Sequence, residues 1–250
     1  MDSLLTEKNI LLVGSSSGIG LSAARLLADM GNTVLCIARD KVKLDEAMKS
    51  LPSGGHAAYS FDVSQVDRIE NLIDTILDKF AHIDGIVYCV GNGDIARLRD
   101  LSSQRLHAVM LSNFYAFIEF IRVVASKKAK KQPLRIVAVS SMASISPEKY
   151  FTAYAASKAA MDAAVKCLAL ELVQKNTTIN VIRPGVVATQ RLKWLSDCTG
   201  EINAKIKASG YQPLGCIPPD DVAYMIAFLL SEKAAYITGA ALPFNGGATC

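Results

Sequence analysis

The chain alternates between short, unbroken apolar runs and longer stretches in which apolar residues recur every three or four positions. The runs at residues 10–13, 33–38, 57–61, 85–90, 134–139 and 178–182 show no in–out alternation, which suits parallel strands buried on both faces. Helical patterns separate them. Leu21, Ala24, Leu27 and Ala28 follow the first run, residues 41–51 the second, and Val66, Ile69, Leu72, Ile73, Ile76 and Phe80 the third. A long helix is predicted over 103–130, with Leu106, Met110, Asn113, Phe114, Phe117, Ile118, Ile121 and Val124 on one face; Asn113 is the only polar member of that stripe. A second, over 152–174, is rich in alanine, which permits close helix contact. Residues 219–230 read as a last helix and 236–244 as a final strand. The weakly periodic stretch 190–218, with Trp194, Gly200, Gly210 and Pro213, reads as a substrate-binding lid. Regular strand–helix alternation predicts one α/β domain over 1–250, a doubly wound sheet of about seven mostly parallel strands with helices on both faces.

The first strand runs into a glycine-rich turn: Gly14, Ser15, Ser16, Ser17, Gly18, Ile19 and Gly20 connect it to the first helix. Such a turn lets backbone approach a pyrophosphate, while the free N–H groups and dipole of the helix N-terminus attract the anion; the serines add hydroxyl donors. The second strand closes on Ala38 and Arg39, with Asp40 one step later. An acid near this point would hold a ribose 2′-hydroxyl, whereas an arginine suits a 2′-phosphate, so Arg39 favours NADP(H) over NAD(H). Asp62, just past the third strand, either caps the helix that starts near Ser64 or accepts a hydrogen bond from adenine.

Composition narrows the class. With 250 residues, 51% of them hydrophobic and 20% charged, the chain has ample material for a core. A net charge of +4 is too mild to argue for nucleic acid. Six scattered cysteines without a CxxC pair read as reduced, mostly buried thiols. No signal peptide is evident, and the longest obvious apolar helical run, 222–230, is too short for a bilayer, so a cytoplasmic protein without a membrane partner is expected.

Tyr154 and Lys158 lie four apart on one predicted helix and therefore share a face. A phenol is a poor acid–base catalyst at its reference pKa near 10, but an ammonium about 4 Å away is worth on the order of 4 kcal/mol at an effective dielectric near 20. That is the chemical reason to place a lysine one turn beyond a catalytic tyrosine. Tyr150 has Tyr154 at the same spacing and no cation. Ser141, at the end of the preceding strand, is within reach of the helix's first turn.

In these features the chain resembles, over essentially its whole length, the compact single-domain branch of the short-chain dehydrogenase/reductase family. Gly14-x3-Gly18-x-Gly20 matches the family's cofactor loop, Asp62-Val63 its adenine-contacting pair, and Asn113, Ser141, Tyr154 and Lys158 its catalytic tetrad. Pro184-Gly185-Val186-Val187-Ala188-Thr189 matches the segment that flanks nicotinamide, where Thr189 meets the carboxamide. The resemblance implies a Rossmann-like fold and hydride transfer between nicotinamide and a carbonyl or carbinol carbon. Tyr154 would act as general acid or base, Ser141 would hold the substrate oxygen, and Lys158 would tune Tyr154 and bind the nicotinamide ribose. Asn113 would hold a water linking Lys158 to solvent. Gly91 would belong to the cofactor site, and Ser141, Met142, Tyr150, Tyr154, Val186 and Trp194 to the substrate pocket. Three positions depart from the pattern: Val13 for Thr, Tyr88-Cys89-Val90-Gly91 for Asn-Asn-Ala-Gly, and Asn245 for Asp. Strands one and four are neighbours in the family's sheet, so the first two changes read as a compensated loss of one polar pair.

The leading reading is thus an NADP(H)-dependent reductase of a carbonyl substrate, with 3-oxoacyl thioesters among the candidates. The rival is a cofactor-binding sensor or scaffold that has lost catalysis; the intact Ser141, Tyr154 and Lys158 argue against it. The resemblance also implies a homotetramer. In the family's 3-oxoacyl reductases basic residues at the end of the 103–130 helix help dock acyl carrier protein, so Lys127, Lys128, Lys130 and Lys131 either serve such docking or form an ordinary solvated helix end.

Overall fold

The computed structural model describes residues 5–128, 132–190, 201–208 and 210–248. Seven strands form one sheet: β1 (Asn9–Val13), β2 (Thr33–Ala38), β3 (Ala57–Ser60), β4 (Gly85–Tyr88), β5 (Leu134–Val139), β6 (Thr177–Pro184) and β7 (Ala241–Phe244). Their order is β3-β2-β1-β4-β5-β6-β7, and every neighbouring pair is parallel rather than most of them. The final strand is shorter than the predicted 236–244, because residues up to 240 are spent on a turn that leaves Tyr236 in solvent.

Burial on both faces explains the runs without alternation. In β1, Leu11 and Val13 point into one apolar cluster and Ile10 and Leu12 into the other. The first cluster is closed by α3 (Ile69–Phe80), α5 (Ala116–Lys127) and α6 (Thr152–Leu172), the second by α1 (Gly18–Asp29), α2 (Lys41–Lys49) and α8 (Pro219–Leu230). The short helix α7 (Glu201–Ala208) lies within the predicted lid; Trp194 falls outside the described residues.

The long helix predicted over 103–130 is interrupted. It runs as α4 (Ser103–Met110), a π-helical turn Leu111–Tyr115, and α5, ending at Lys127. The extra residue in the π turn rotates the faces on either side, so Val109, Asn113, Phe117 and Phe120 are buried while Leu106 of the predicted stripe is exposed. Segment 103–127 as a whole is long and apolar enough, by length and composition, to cross a membrane, which corrects the view that 222–230 is the longest such run. Its apolar side chains pack against the sheet, α3 and α6, so its hydropathy serves the core.

The departures at strands one and four sit together. Val13 pairs with Tyr88 in the sheet, and both are wholly buried in the same cluster. The Tyr88 ring packs on Phe117 at 5.4 Å between centroids, and its hydroxyl donates to the Ser112 carbonyl inside the π turn. The polar pair is replaced by apolar packing with no stranded donor. Asn245 has a local explanation as well: its amide donates to the Ala248 carbonyl and approaches Met142 Sδ at 3.4 Å, roles that an aspartate cannot fill. Among the described cysteines Cys36 is buried but Cys167 is exposed, so the thiols are less uniformly sheltered than expected.

Candidate active site

A parallel sheet whose order reverses between β1 and β4 opens a crevice at the carboxyl ends of those strands. A cavity of about 840 Å³ occupies it. At one end it is lined by Gly14, Ser16, Ser17, Gly18, Ile19 and Gly20 from the first turn, by Arg39 after β2, and by Asp62 and Val63 after β3. Gly91 follows β4, and Ser141, Met142, Tyr154 and Lys158 occupy the middle. Pro184, Gly185, Val186, Val187 and Thr189 close the far side.

The glycine turn is built for close approach. Gly14 has φ +91°, and a Cβ on Gly20 would lie 2.0 Å from the Gly14 carbonyl oxygen. The first residue before α1, Ser17, makes no side-chain cap, so the helix N-terminus offers its N–H groups to the cavity. Ser15 is the exception among the three serines: it is fully buried and its hydroxyl donates to the Ile37 carbonyl at 3.3 Å, so it faces the core rather than the cavity. Asp62 Oδ1 accepts from the Ser64 N–H at 3.0 Å and the Ser64 hydroxyl at 2.8 Å. This closes a local turn instead of capping a helix at Ser64, since α3 starts at Ile69. An uncapped helix N-terminus, a cradle that excludes Cβ atoms and an arginine past β2 together fit a dinucleotide.

Three of the four predicted catalytic residues, Ser141, Tyr154 and Lys158, line the cavity, and Asn113 is buried outside its lining, tied to the Tyr154 turn through Ser157. Lys158 is almost completely buried, and its ammonium donates to the carbonyls of Val139 at 2.8 Å and Val90 at 3.2 Å while standing 5.9 Å from the Tyr154 ring centroid. One carbonyl from the end of β5 and one from the loop after β4 thus fix the cation beside the phenol. Ser141 precedes a single 3-10 turn, and its hydroxyl accepts from the Ala143 N–H at 3.1 Å. Asn113, in the π turn, is fully buried; it accepts from the Asn92 N–H at 2.6 Å and donates to the Asn92 carbonyl at 3.0 Å and Ser157 Oγ at 2.9 Å. Ser157 in turn donates to the Tyr154 carbonyl at 2.7 Å, a link the sequence reading missed although Ser157 lies three residues past Tyr154. Cys89 lines the cavity beside Gly14 and Gly20, and burial pushes its thiol up to about 12.

One expected pocket residue is not there. Tyr150 does not line the cavity. The chain turns at this residue through φ +74°, its side chain is half exposed, and its carbonyl instead accepts from the Ala96 N–H at 3.0 Å. Phe151 lines the cavity in its place and packs edge-on against Tyr154 at 6.0 Å. Trp194 lies outside the described residues. Glu148 and Tyr211 also line the cavity, and neither had a periodic or motif signal.

The comparisons with known proteins agree with this geometry. A family model described as enoyl-(acyl carrier protein) reductase matches residues 13–249. This chain belongs to the short-chain dehydrogenase/reductase family. The 3-oxoacyl-[acyl-carrier-protein] reductase FabG of Rickettsia prowazekii is 33% identical over 247 residues, covering 97% of each chain. A 7α-hydroxysteroid dehydrogenase complexed with NADH and 7-oxo glycochenodeoxycholic acid superposes with a TM-score of 0.91 at 26% identity, over 99% of this chain and 96% of that one. The 3-ketoacyl-(acyl-carrier-protein) reductase of Brucella melitensis, complexed with NADH, gives 0.87 at 25% identity over 98% and 99%. The seven-stranded parallel sheet of this short-chain dehydrogenase/reductase is the Rossmann-like fold of these structures.

Proposed function

We propose that the chain is an NADP(H)-dependent oxidoreductase that reduces a ketone to an alcohol, with 3-oxoacyl thioesters as the first class to assay. The convergence of Ser141, Tyr154 and the buried Lys158 on one cavity, beside a glycine turn fit for a pyrophosphate, is the observation that carries this reading. The 3-oxoacyl class is supported by the printed names of the relatives.

The first glycine turn and the α1 N-terminus would hold the pyrophosphate, Arg39 the 2′-phosphate, Asp62 and Val63 the adenine, and Thr189 the carboxamide. When bound, the nicotinamide supplies the hydride. Tyr154 gives its phenolic proton to the substrate oxygen as that oxygen becomes an alkoxide, and Ser141 donates a hydrogen bond to the same oxygen. Lys158, held by two carbonyls, keeps positive charge beside the phenolate left behind. Asn113 and Ser157 hold the Tyr154 turn and the Asn92 loop in one frame, behind which the proton is replaced from solvent.

The test is NADPH oxidation with a panel of ketones and 3-oxoacyl thioesters, repeated with Tyr154→Phe. The variant should lose at least about a hundredfold in kcat, the general-acid contribution, with NADPH affinity within twofold. A Tyr154→Phe enzyme with near-normal kcat on a good substrate would overturn the mechanism.

A further inference from the structure

Among the described residues two carboxylates line the cavity, Asp62 and Glu148. Asp62 is at the Arg39 end and is engaged by Ser64; Glu148 stands at the opposite end, near Ser146, Phe151 and Tyr154. Its position relative to Tyr154 is set by the backbone. The Glu148 carbonyl accepts from the Phe151 N–H at 3.3 Å, the Phe151 carbonyl from the Ala155 N–H at 2.7 Å, and the Phe151 ring packs on Tyr154. The turn holds Tyr150 in left-handed φ, a strained conformation of the kind that structures keep where a site demands it.

The Glu148 side chain makes no ion pair among the described residues, and it accepts a hydrogen bond from the Tyr211 hydroxyl at 2.9 Å. That bond joins two walls, the turn before α6 and the segment after α7. The Tyr211 wall is itself anchored, because the adjacent Gln212 is fully buried, accepts from the Val186 N–H at 2.7 Å and donates to the Val186 carbonyl at 3.1 Å. Tyr211 and Glu148 are both exposed, so the bond between them can be exchanged without opening the core. Burial, then the Glu148 contact, pushes the Tyr211 phenol up to about 12, which keeps it a donor throughout the working pH range.

We infer that Glu148 is a specificity-determining residue that accepts a hydrogen bond from an O–H or N–H group of the carbonyl substrate, taking it over from the Tyr211 hydroxyl. The substrate class is then a ketone bearing a hydroxyl, or a thioester whose arm carries an amide N–H. A carboxylate placed to accept such a donor discriminates against the analogue that lacks it, because the exchange of partners then fails. This assignment rests on the carbonyl-reductase reading.

Two substrate pairs probe the donor: 4-hydroxycyclohexanone against 4-methylcyclohexanone for the hydroxyl, and acetoacetyl-N-acetylcysteamine against its N-methyl amide, which keeps the carbonyl and lacks the N–H, for the amide. The quantity read is the ratio of kcat/KM within each pair for wild type, Glu148→Ala and Tyr211→Phe. The wild type should prefer the donor-bearing member of at least one pair by fivefold or more, through KM; the pair that responds identifies the donor. Glu148→Ala should bring that ratio within twofold of one, and Tyr211→Phe, which removes the internal competitor, should raise it. Opposite signs for the two variants separate ligand recognition from a structural clasp, whose loss would lower both members of a pair alike from either side. A wild-type ratio near one, a ratio that survives Glu148→Ala, or parallel losses in the two variants would overturn the assignment while leaving the reductase reading in place. Turnover of none of the four compounds would overturn the reductase reading and this assignment with it.

Discussion

At the scale of single residues, the proposed preference for NADP(H) rests on Arg39 and its neighbour. Asp40, the acid that could serve a ribose 2′-hydroxyl, is spent on α2: it accepts from the Lys43 N–H at 3.1 Å and pairs with the Lys43 ammonium at 3.7 Å. Arg39 lines the cavity and Asp40 does not. NADPH should therefore bind more tightly than NADH, and Arg39→Ala should remove most of the difference, about tenfold or more for the loss of a charge-assisted phosphate contact. Fluorescence titration of both cofactors against both proteins measures it, and equal wild-type affinities would refute the assignment. Tyr150 shows the limit of reasoning at this scale. Spacing excluded it as an activated tyrosine but said nothing of its backbone, and a left-handed φ turned it out of the cavity.

At the scale of elements, loop 91–97 carries Gly91, Asn92 and Gly93 to the cavity, and three ties hold it. Asn113 grips Asn92, Ala96 meets the Tyr150 carbonyl, and Arg105 of α4 makes a two-pronged ion pair with Asp94, with Nε to Oδ2 at 2.8 Å. The guanidinium hydrogen bonds hold the Asp94 carboxyl below its usual range. A carboxyl depressed in the folded state contributes stability above its unfolded value, about 3.9, and loses it as pH falls through the lower folded value. Arg105→Ala should lower the Tm at neutral pH by a degree or two, given the partial exposure of the pair, and the gap should close below about pH 4. A gap that persisted unchanged at pH 3 would assign the effect to lost packing of Arg105 instead. The π turn in the same region was not legible in the chain. A 3.6-residue stripe drawn through Asn113 fits either a straight helix or one with an inserted residue, and only packing against Tyr88 and Ser157 selects the second.

At the scale of the whole molecule, the lysine cluster must be placed anew. Because α5 runs antiparallel to the strands, Lys127 and Lys128 lie at the amino ends of the sheet, the edge opposite the cavity; Lys130 and Lys131 are outside the described residues. Lys127 pairs with Asp74 at 2.6 Å and Glu70 at 3.2 Å, and Lys128 donates to the Gln132 and Lys175 carbonyls. Lys127 and Lys128 therefore stand at the edge of the sheet away from Tyr154 of their own chain. We propose that they serve carrier docking only where a second copy of the chain brings its cavity beside them, so that docking would depend on assembly. Exposed Leu106, Tyr115, Leu170 and Val173 on the outer helix faces are the surfaces such a copy would cover. Light scattering at micromolar concentration should find a tetramer, or at least a dimer. Replacing the four lysines by Gln should then lower kcat/KM for a carrier-linked 3-oxoacyl substrate, but not for its short thioester mimic, at low salt only. A monomer, or an equal response of the two substrates, would remove the docking role.

Asn113 and Ser141 were picked out by the family resemblance, whereas the order of strands and helices, the glycine turn and the Tyr154–Lys158 pair are local in origin. Each follows from the period of apolar residues, from where glycine permits close approach, or from a four-residue helical spacing, all of which a linear chain displays. Other features depend on contacts between distant segments. Val13 and Tyr88 meet only because β1 and β4 are neighbours. Gln212 reaches Val186 across 26 positions, and Tyr211 reaches Glu148 across 63. No periodicity records such pairs, because their partners are chosen by the closure of the sheet and the path of the loops over it. The sequence by itself determined the sheet and the candidate residues at its centre; the tertiary structure decided which side chains line the cavity and which edge carries Lys127 and Lys128.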